Sequence, residues 1–169
     1  GAGFSGLHPA LGRVGLFVDA DDALIEAAVA AAGLDVLQLQ GNETPARVAA
    51  IRARFGLPVW RAVGVRTAAD IAAAERDYGM ADALLLDAQA MPGAVAPGGN
   101  GLRFDWRILA ERRPAMPFVL AGGLDPDNVA AAIRATGTPA VDVSSGVESA
   151  PGTKDLAKIA AFTQAARHA

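Results

Sequence analysis

A chain of 169 residues with 52% hydrophobic content can bury one good core, so a single domain spanning residues 1–169 is expected. The formal charge of −3 argues against nucleic acid or an anionic membrane as partner, because both require a concentrated basic face, and leaves a small molecule as the expected ligand. The absence of cysteine excludes disulfides, thiolate metal sites and a thiol nucleophile, and suits a reducing, cytoplasmic setting. No apolar run reaches the roughly 18 residues of a membrane span, and Gly1–Gly6 lacks the basic-then-apolar pattern of a signal peptide.

In chain order, short β-branched or Leu-rich runs alternate with Ala-rich stretches of helical periodicity. The strand candidates are Val14–Val18, Val36–Leu39, Val59–Val63, Ala83–Asp87, Phe118–Ala121 and Ala140–Val143. The first helix is marked by the stripe Leu24, Ile25, Ala28, Val29 and Ala32, and the second by Val48, Ile51 and Phe55. Ala68–Tyr78, Asp105–Arg112, Pro126–Thr136 and Leu156–Arg167 follow. Thr44-Pro45 and Asp125-Pro126 each place a capping side chain before a proline at the first helical position, and Gly33, Gly56 and Gly137 stand where helices should stop.

Strict βα alternation implies a parallel sheet, either open and doubly wound or closed as a barrel. Polar residues within the strands favour the barrel. Gln38 and Gln40 share one strand face, Arg61 lies between Val59 and Val63, and Asp142 lies between Val141 and Val143. Such groups tolerate burial when they meet one another or a ligand, and a barrel interior near its C-terminal mouth offers that meeting place. The expected fold is a TIM-type (βα)8 barrel, with Arg61 pointing inward to pair with Asp142.

Ligands of parallel α/β proteins bind at the carboxyl ends of the strands. After the fifth strand come Gly122 and Gly123, whose lack of Cβ lets backbone N–H groups approach an anion at the start of a helix. After the sixth come Ser144, Ser145 and Gly146. Either loop alone is equally well a tight turn; together they have the composition of a phosphate site. Asp87 ends Leu84-Leu85-Leu86-Asp87 at a strand top, where desolvation raises a carboxyl pKa and suits it to general acid or base work. The Gly- and Pro-rich segment Ala88–Arg103 that follows has the length of a lid. His8 and His168 lie near the chain ends and carry no expected role. Trp60 and Trp106 are expected to pack between strands and helices. No metal-ligand cluster, P-loop or dinucleotide fingerprint is present, which disfavours a nucleotide-cofactor enzyme.

Several segments, taken in order, resemble the phosphoribosylanthranilate isomerase family: Leu37-Gln38-Leu39-Gln40-Gly41-Asn42-Glu43; Leu84–Asp87 with Gly98-Gly99-Asn100-Gly101 and Phe104-Asp105-Trp106; Ala121-Gly122-Gly123-Leu124 with Asp127-Asn128-Val129; and Val141–Glu148 with Pro151-Gly152 and Lys154-Asp155. The resemblance runs from about Val14 to Phe162. It implies isomerisation of N-(5-phosphoribosyl)anthranilate to 1-(2-carboxyphenylamino)-1-deoxyribulose 5-phosphate, an Amadori rearrangement of tryptophan biosynthesis that needs no metal or organic cofactor. Asp87 would be the general acid that protonates the ribose ring oxygen.

The six strands then correspond to the family's strands three to eight, and the first two βα units, with the cysteine that takes the C2′ proton, have no counterpart. These residues alone are therefore expected not to catalyse the reaction, and to bare apolar interior side chains such as Phe17 at an open sheet edge. Gln40 stands where the family has His, and Leu102 where a basic residue is common. The competing readings are a non-catalytic phosphosugar-binding or assembly module and, more remotely, an indole-glycerol-phosphate synthase, which needs a strand-end lysine that no strand candidate contains. Oligomeric state is not legible.

Overall fold

The computed structural model describes residues 12–88 and 105–169; His8, most of the expected lid and Phe104 lie outside them. The chain runs β1 (Val14–Phe17), α1 (Asp22–Ala32), β2 (Val36–Leu39), α2 (Pro45–Phe55), β3 (Val59–Val65), α3 (Ala68–Tyr78), β4 (Ala83–Ala88), α4 (Arg107–Glu111), β5 (Phe118–Leu120), α5 (Val129–Thr136), a 3-10 turn (Ser145–Val147), the hairpin strands β6 (Glu148–Ala150) and β7 (Thr153–Lys154), and α6 (Leu156–Arg167). β1 to β5 form a parallel sheet in sequential order, and the sixth strand candidate joins it only through a bridge between Leu120 and Val141. That strand is cut short because β5 offers it one residue: Leu120 donates to the Ala140 carbonyl and accepts from the Asp142 amide.

Local chemistry sets the helix ends. Thr44 accepts from the Arg47 amide at 3.2 Å with Pro45 opening α2, Asp21 caps α1 through Leu24, and Gly33, Gly56 and Gly137 close α1, α2 and α5 in the left-handed conformation. α5 begins at Val129 rather than Pro126. The Asp125 carboxylate takes the Asp127 and Asn128 amides, both at 2.9 Å, while Asn128 Oδ1 takes the Asp125 amide, so these side chains hold residues 125–128 in a turn ahead of the helix.

Among the described residues the helices cover one face of the sheet and leave the other helix-free. Phe17, Leu37, Leu39 and Val59 pack there with Ile25, Val48 and Ile51; Val65, Leu84, Leu86, Phe118 and Leu120 pack with Ile71, Leu109, Val129 and Phe162. The opposite face is thinly packed, with Leu85, Val119 and Ala121 against Trp60 and Ala62. A doubly wound sheet would carry helices on both sides.

Three expectations change with this parity, and a fourth with the phase of α1. Arg61 alternates with Val59, Val63 and Val65, and so lies on the helix side; its partner is Glu43, at 3.1 Å, and not Asp142. Phe17 is buried against α1, and the bared apolar residues at the β1 edge are Leu16 and Val18, 60% and 58% exposed. Trp60 faces away from the helices, whereas Trp106 packs with them as expected. Leu24 is 58% exposed and falls outside the α1 stripe.

Candidate active site

The helix-free face gathers most of the polar strand residues at the carboxyl ends of the strands. Gln38 is buried there because Leu37 and Leu39 take the helix side, and Gln40 follows with the same parity, its amide donating to the Phe17 carbonyl at 2.8 Å. Asp142 belongs to the same face, since Val141 and Val143 pack with the helices.

Asp87 is half-buried, with Leu85 below it in the same row. Its neighbour across β3 is the exposed Gly64, and on the other side Gly122 sits so close that a Cβ would meet the Ala88 amide at 2.6 Å and the Asp87 carboxylate at 3.0 Å. Two residues without side chains therefore flank this carboxyl and leave space beside it. Gly122 also has φ 84°, a conformation that L side chains rarely adopt. Burial pushes the Asp87 carboxyl above the ordinary carboxylate range against the pull of the Ala88 amide, and the charge of Asp142 adds to the rise. Asp142 is likewise raised: it touches solvent, but protein around it displaces part of its hydration, and Lys154 offsets this only partly.

The two glycine-containing loops meet. Gly146 packs directly on the Leu124 carbonyl, and a Cβ at that position would overlap it. Among the described residues the amides of Gly122, Gly123, Ser144, Ser145 and Gly146 donate to no protein group, which leaves a set of N–H donors on adjoining loops. Lys154 ties the second loop down, its ammonium reaching the Ser144 carbonyl at 2.9 Å, Ser144 Oγ at 3.3 Å and Glu148 at 2.7 Å. The bond to Lys154, with the Gly152 amide, holds the Glu148 carboxyl below its usual range.

Arg61 is the one expected pocket residue that faces away from this site. Lys154 and Glu43 were not singled out from sequence, although both lie within the quoted segments; a glutamate three residues beyond Gln40 and a lysine in a hairpin carry no periodic signal. Among the described residues no cluster of His, Cys, Asp and Glu could hold a metal ion, and no helix is long and apolar enough to cross a membrane.

Residues 7–165 match the profile of the family described as N-(5'phosphoribosyl)anthranilate (PRA) isomerase. The chain is 57% identical over 155 residues to the N-(5'-phosphoribosyl)anthranilate isomerase of Paramagnetospirillum magneticum, covering 92% of this chain and 72% of that protein. It is 59% identical over 151 residues to the enzyme of Paracoccus denitrificans, covering 89% and 70%. Among solved structures, phosphoribosyl anthranilate isomerase from Thermotoga maritima superposes with a TM-score of 0.82 at 35% identity, over 96% of this chain and 76% of that one. A phosphoribosyl anthranilate isomerase in complex with reduced 1-(o-carboxyphenylamino)-1-deoxyribulose 5-phosphate gives 0.79 at 35% identity, over 98% and 76%. The chain belongs to the N-(5'-phosphoribosyl)anthranilate isomerase family.

Proposed function

We propose that this protein serves tryptophan biosynthesis in the cytoplasm by the Amadori rearrangement of N-(5-phosphoribosyl)anthranilate to 1-(2-carboxyphenylamino)-1-deoxyribulose 5-phosphate, without a cofactor. The observation that carries the reading is Asp87, a carboxyl raised by burial and flanked by Gly64 and Gly122 at the mouth of the helix-free face. A carboxyl whose pKa is raised holds its proton to higher pH than an ordinary carboxylate, as a general acid must. Asp87 donates it to the ribose ring oxygen, the C1′–O bond opens, and the nitrogen lone pair forms the C1′–N double bond. Loss of the C2′ proton to a base then gives an enolamine that tautomerises to the ketose. The amides of Gly122, Gly123, Ser144, Ser145 and Gly146 bind the 5-phosphate, with Lys154 holding the loop in place, and Gln38, Gln40 and Asp142 line the remaining pocket.

A sheet with its helices on one side fits strands three to eight of a (βα)8 barrel, six units in all, with the helix-free face turned inward. The second reading is a binding module for the phosphosugar adduct, in which the pocket and the adjoining loops hold the ligand without turning it over.

Two measurements test both readings. The purified chain should bind the reduced product analogue in a calorimetric titration; failure to bind would remove the proposed function. Steady-state turnover of freshly made substrate should be absent for the chain alone and should appear on mixing with a segment of a relative that supplies the two leading βα units and their cysteine. If the mixture binds but remains inactive, the binding-module reading stands. Turnover by the chain alone, abolished by Asp87→Asn, would confirm the acid and direct attention to Asp142 as the base.

A further inference from the structure

The loop that follows β2 is held from behind by a buried ion pair that the chemistry above does not use. Arg61 projects from β3 to the helix side, its side chain 9% exposed, and Glu43 reaches it at 3.1 Å with its own side chain 2% exposed. The guanidinium also donates to the Leu39 carbonyl at 2.9 Å and the Gly41 carbonyl at 2.8 Å, the two residues on either side of Gln40. Tyr78 closes the cluster, with its ring 4.9 Å from the guanidinium carbon and its hydroxyl donating to the Glu43 carbonyl at 3.1 Å. The second oxygen of Glu43 accepts the Asp19 amide at 2.9 Å, and Asp19, in turn, accepts the Asn42 amide at 2.6 Å. Gly41 is pressed so tightly on Asp19 that a Cβ would lie 2.5 Å from its carboxylate. Five connected residues thus bind the backbone on both sides of Gln40 to the turn after β1.

A buried pair of this kind contributes little net stability, since desolvation of both charges offsets most of their attraction, and its Arg61 Nε is left without a partner. What it supplies is position. We propose that Arg61 and Glu43 are positioning residues that hold Gln40 at the mouth, on the side of the pocket away from the phosphate loops, so that Gln40 meets the anthranilate or sugar portion of the ligand. This inference rests on the function proposed above.

The test compares two ligands. Calorimetry with the reduced product analogue reads the whole pocket, and phosphorus NMR titration with inorganic phosphate reads only the phosphate loops. Because Arg61→Met alone would strand a buried carboxylate and could unfold the chain, the informative variant is Arg61→Met with Glu43→Met, which removes both charges together. It should bind the analogue about 10- to 100-fold more weakly than the unsubstituted chain, the range expected for small misplacement of a pocket group, with phosphate binding unchanged. Arg61→Lys, which keeps the charge and an N–H-donating group but not the guanidinium fork, should bind the analogue more tightly than the double variant. Analogue binding equal to that of the unsubstituted chain would overturn the inference, as would parallel weakening of both ligands, which marks general loosening. If the unsubstituted chain itself fails to bind the analogue, the proposed function falls and this inference falls with it.

Discussion

The two faces of the sheet use the same strands to opposite ends. On the helix side, Leu37, Leu39, Val59, Leu84, Leu86 and Leu120 are fully buried, and the one charged residue among them, Arg61, is neutralised by Glu43. On the helix-free side the apolar packing is thin, Leu16 and Val18 meet solvent, and two carboxyls with raised pKa share the mouth. Apolar packing is concentrated on one side and, in the function proposed above, the chemistry on the other, because a group held in an unfavourable charge state needs a rigid support that does not depend on it.

The comparison is tested first at Asp87. Asp87→Asn should lower turnover in the complemented assay by about 10²- to 10⁴-fold, the usual range for a general acid, while the urea midpoint falls little or rises. Equal loss of activity and stability would mean that Asp87 is structural.

Leu86→Ala should cost about 2–5 kcal/mol in urea unfolding, because it opens a cavity among fully buried neighbours. Its strand neighbour Leu85, equally buried but surrounded by the small inner cluster, should cost less on the same substitution. The reverse order would place the main core on the wrong side of the sheet.

The pH dependence of stability should differ in sign between the faces. Asp87 and Asp142 are raised above the ordinary value of 3.8, so the stability they contribute is fully present below that pH and is lost as pH rises through their elevated values. Asp82, on the helix side, is lowered, first by its bonds to Arg52 and then, against partial desolvation, by the Val59 amide. Its contribution is present above 3.8 and is lost as pH falls through the depressed value. Asp87→Asn should therefore raise stability relative to the unsubstituted chain at pH 7 more than at pH 4. Asp82→Asn should lower it at pH 7 by about 1 kcal/mol, a modest figure because the pair is partly solvated. Urea midpoints across that range would decide both.

The smallest effect is expected at the β1 edge. Leu16→Thr should leave stability within about 0.5 kcal/mol, as for other exposed positions, and reduce self-association in sedimentation velocity, since it removes an apolar group from an open strand edge. A large loss of stability would show that Leu16 is covered.

Much of this organisation is legible in the chain itself. The extents of β2, α3 and α6, the Thr44-Pro45 start and the three glycine stops follow from local rules that act within a few residues: periodicity, capping and the left-handed conformation. So does the placement of Asp87 after three leucines at a strand end, and the glycine and serine composition of the two adjoining loops. The tertiary structure decided which side each strand turns to the helices. Leu16, Phe17 and Val18 are all apolar, so alternation gives no preference, and Phe17 took the helix side because α1 supplied Ile25 as its neighbour. Arg61 invited a pocket reading because a charge inside a strand needs a partner, yet the partner was Glu43, brought up by the loop after the neighbouring strand, and Tyr78, from the end of α3. Periodicity, capping and turn chemistry are local and can be read from one segment at a time; which face of a strand meets the helices and which charge meets which depend on several segments arriving at one place, and that is set only when the sheet is assembled.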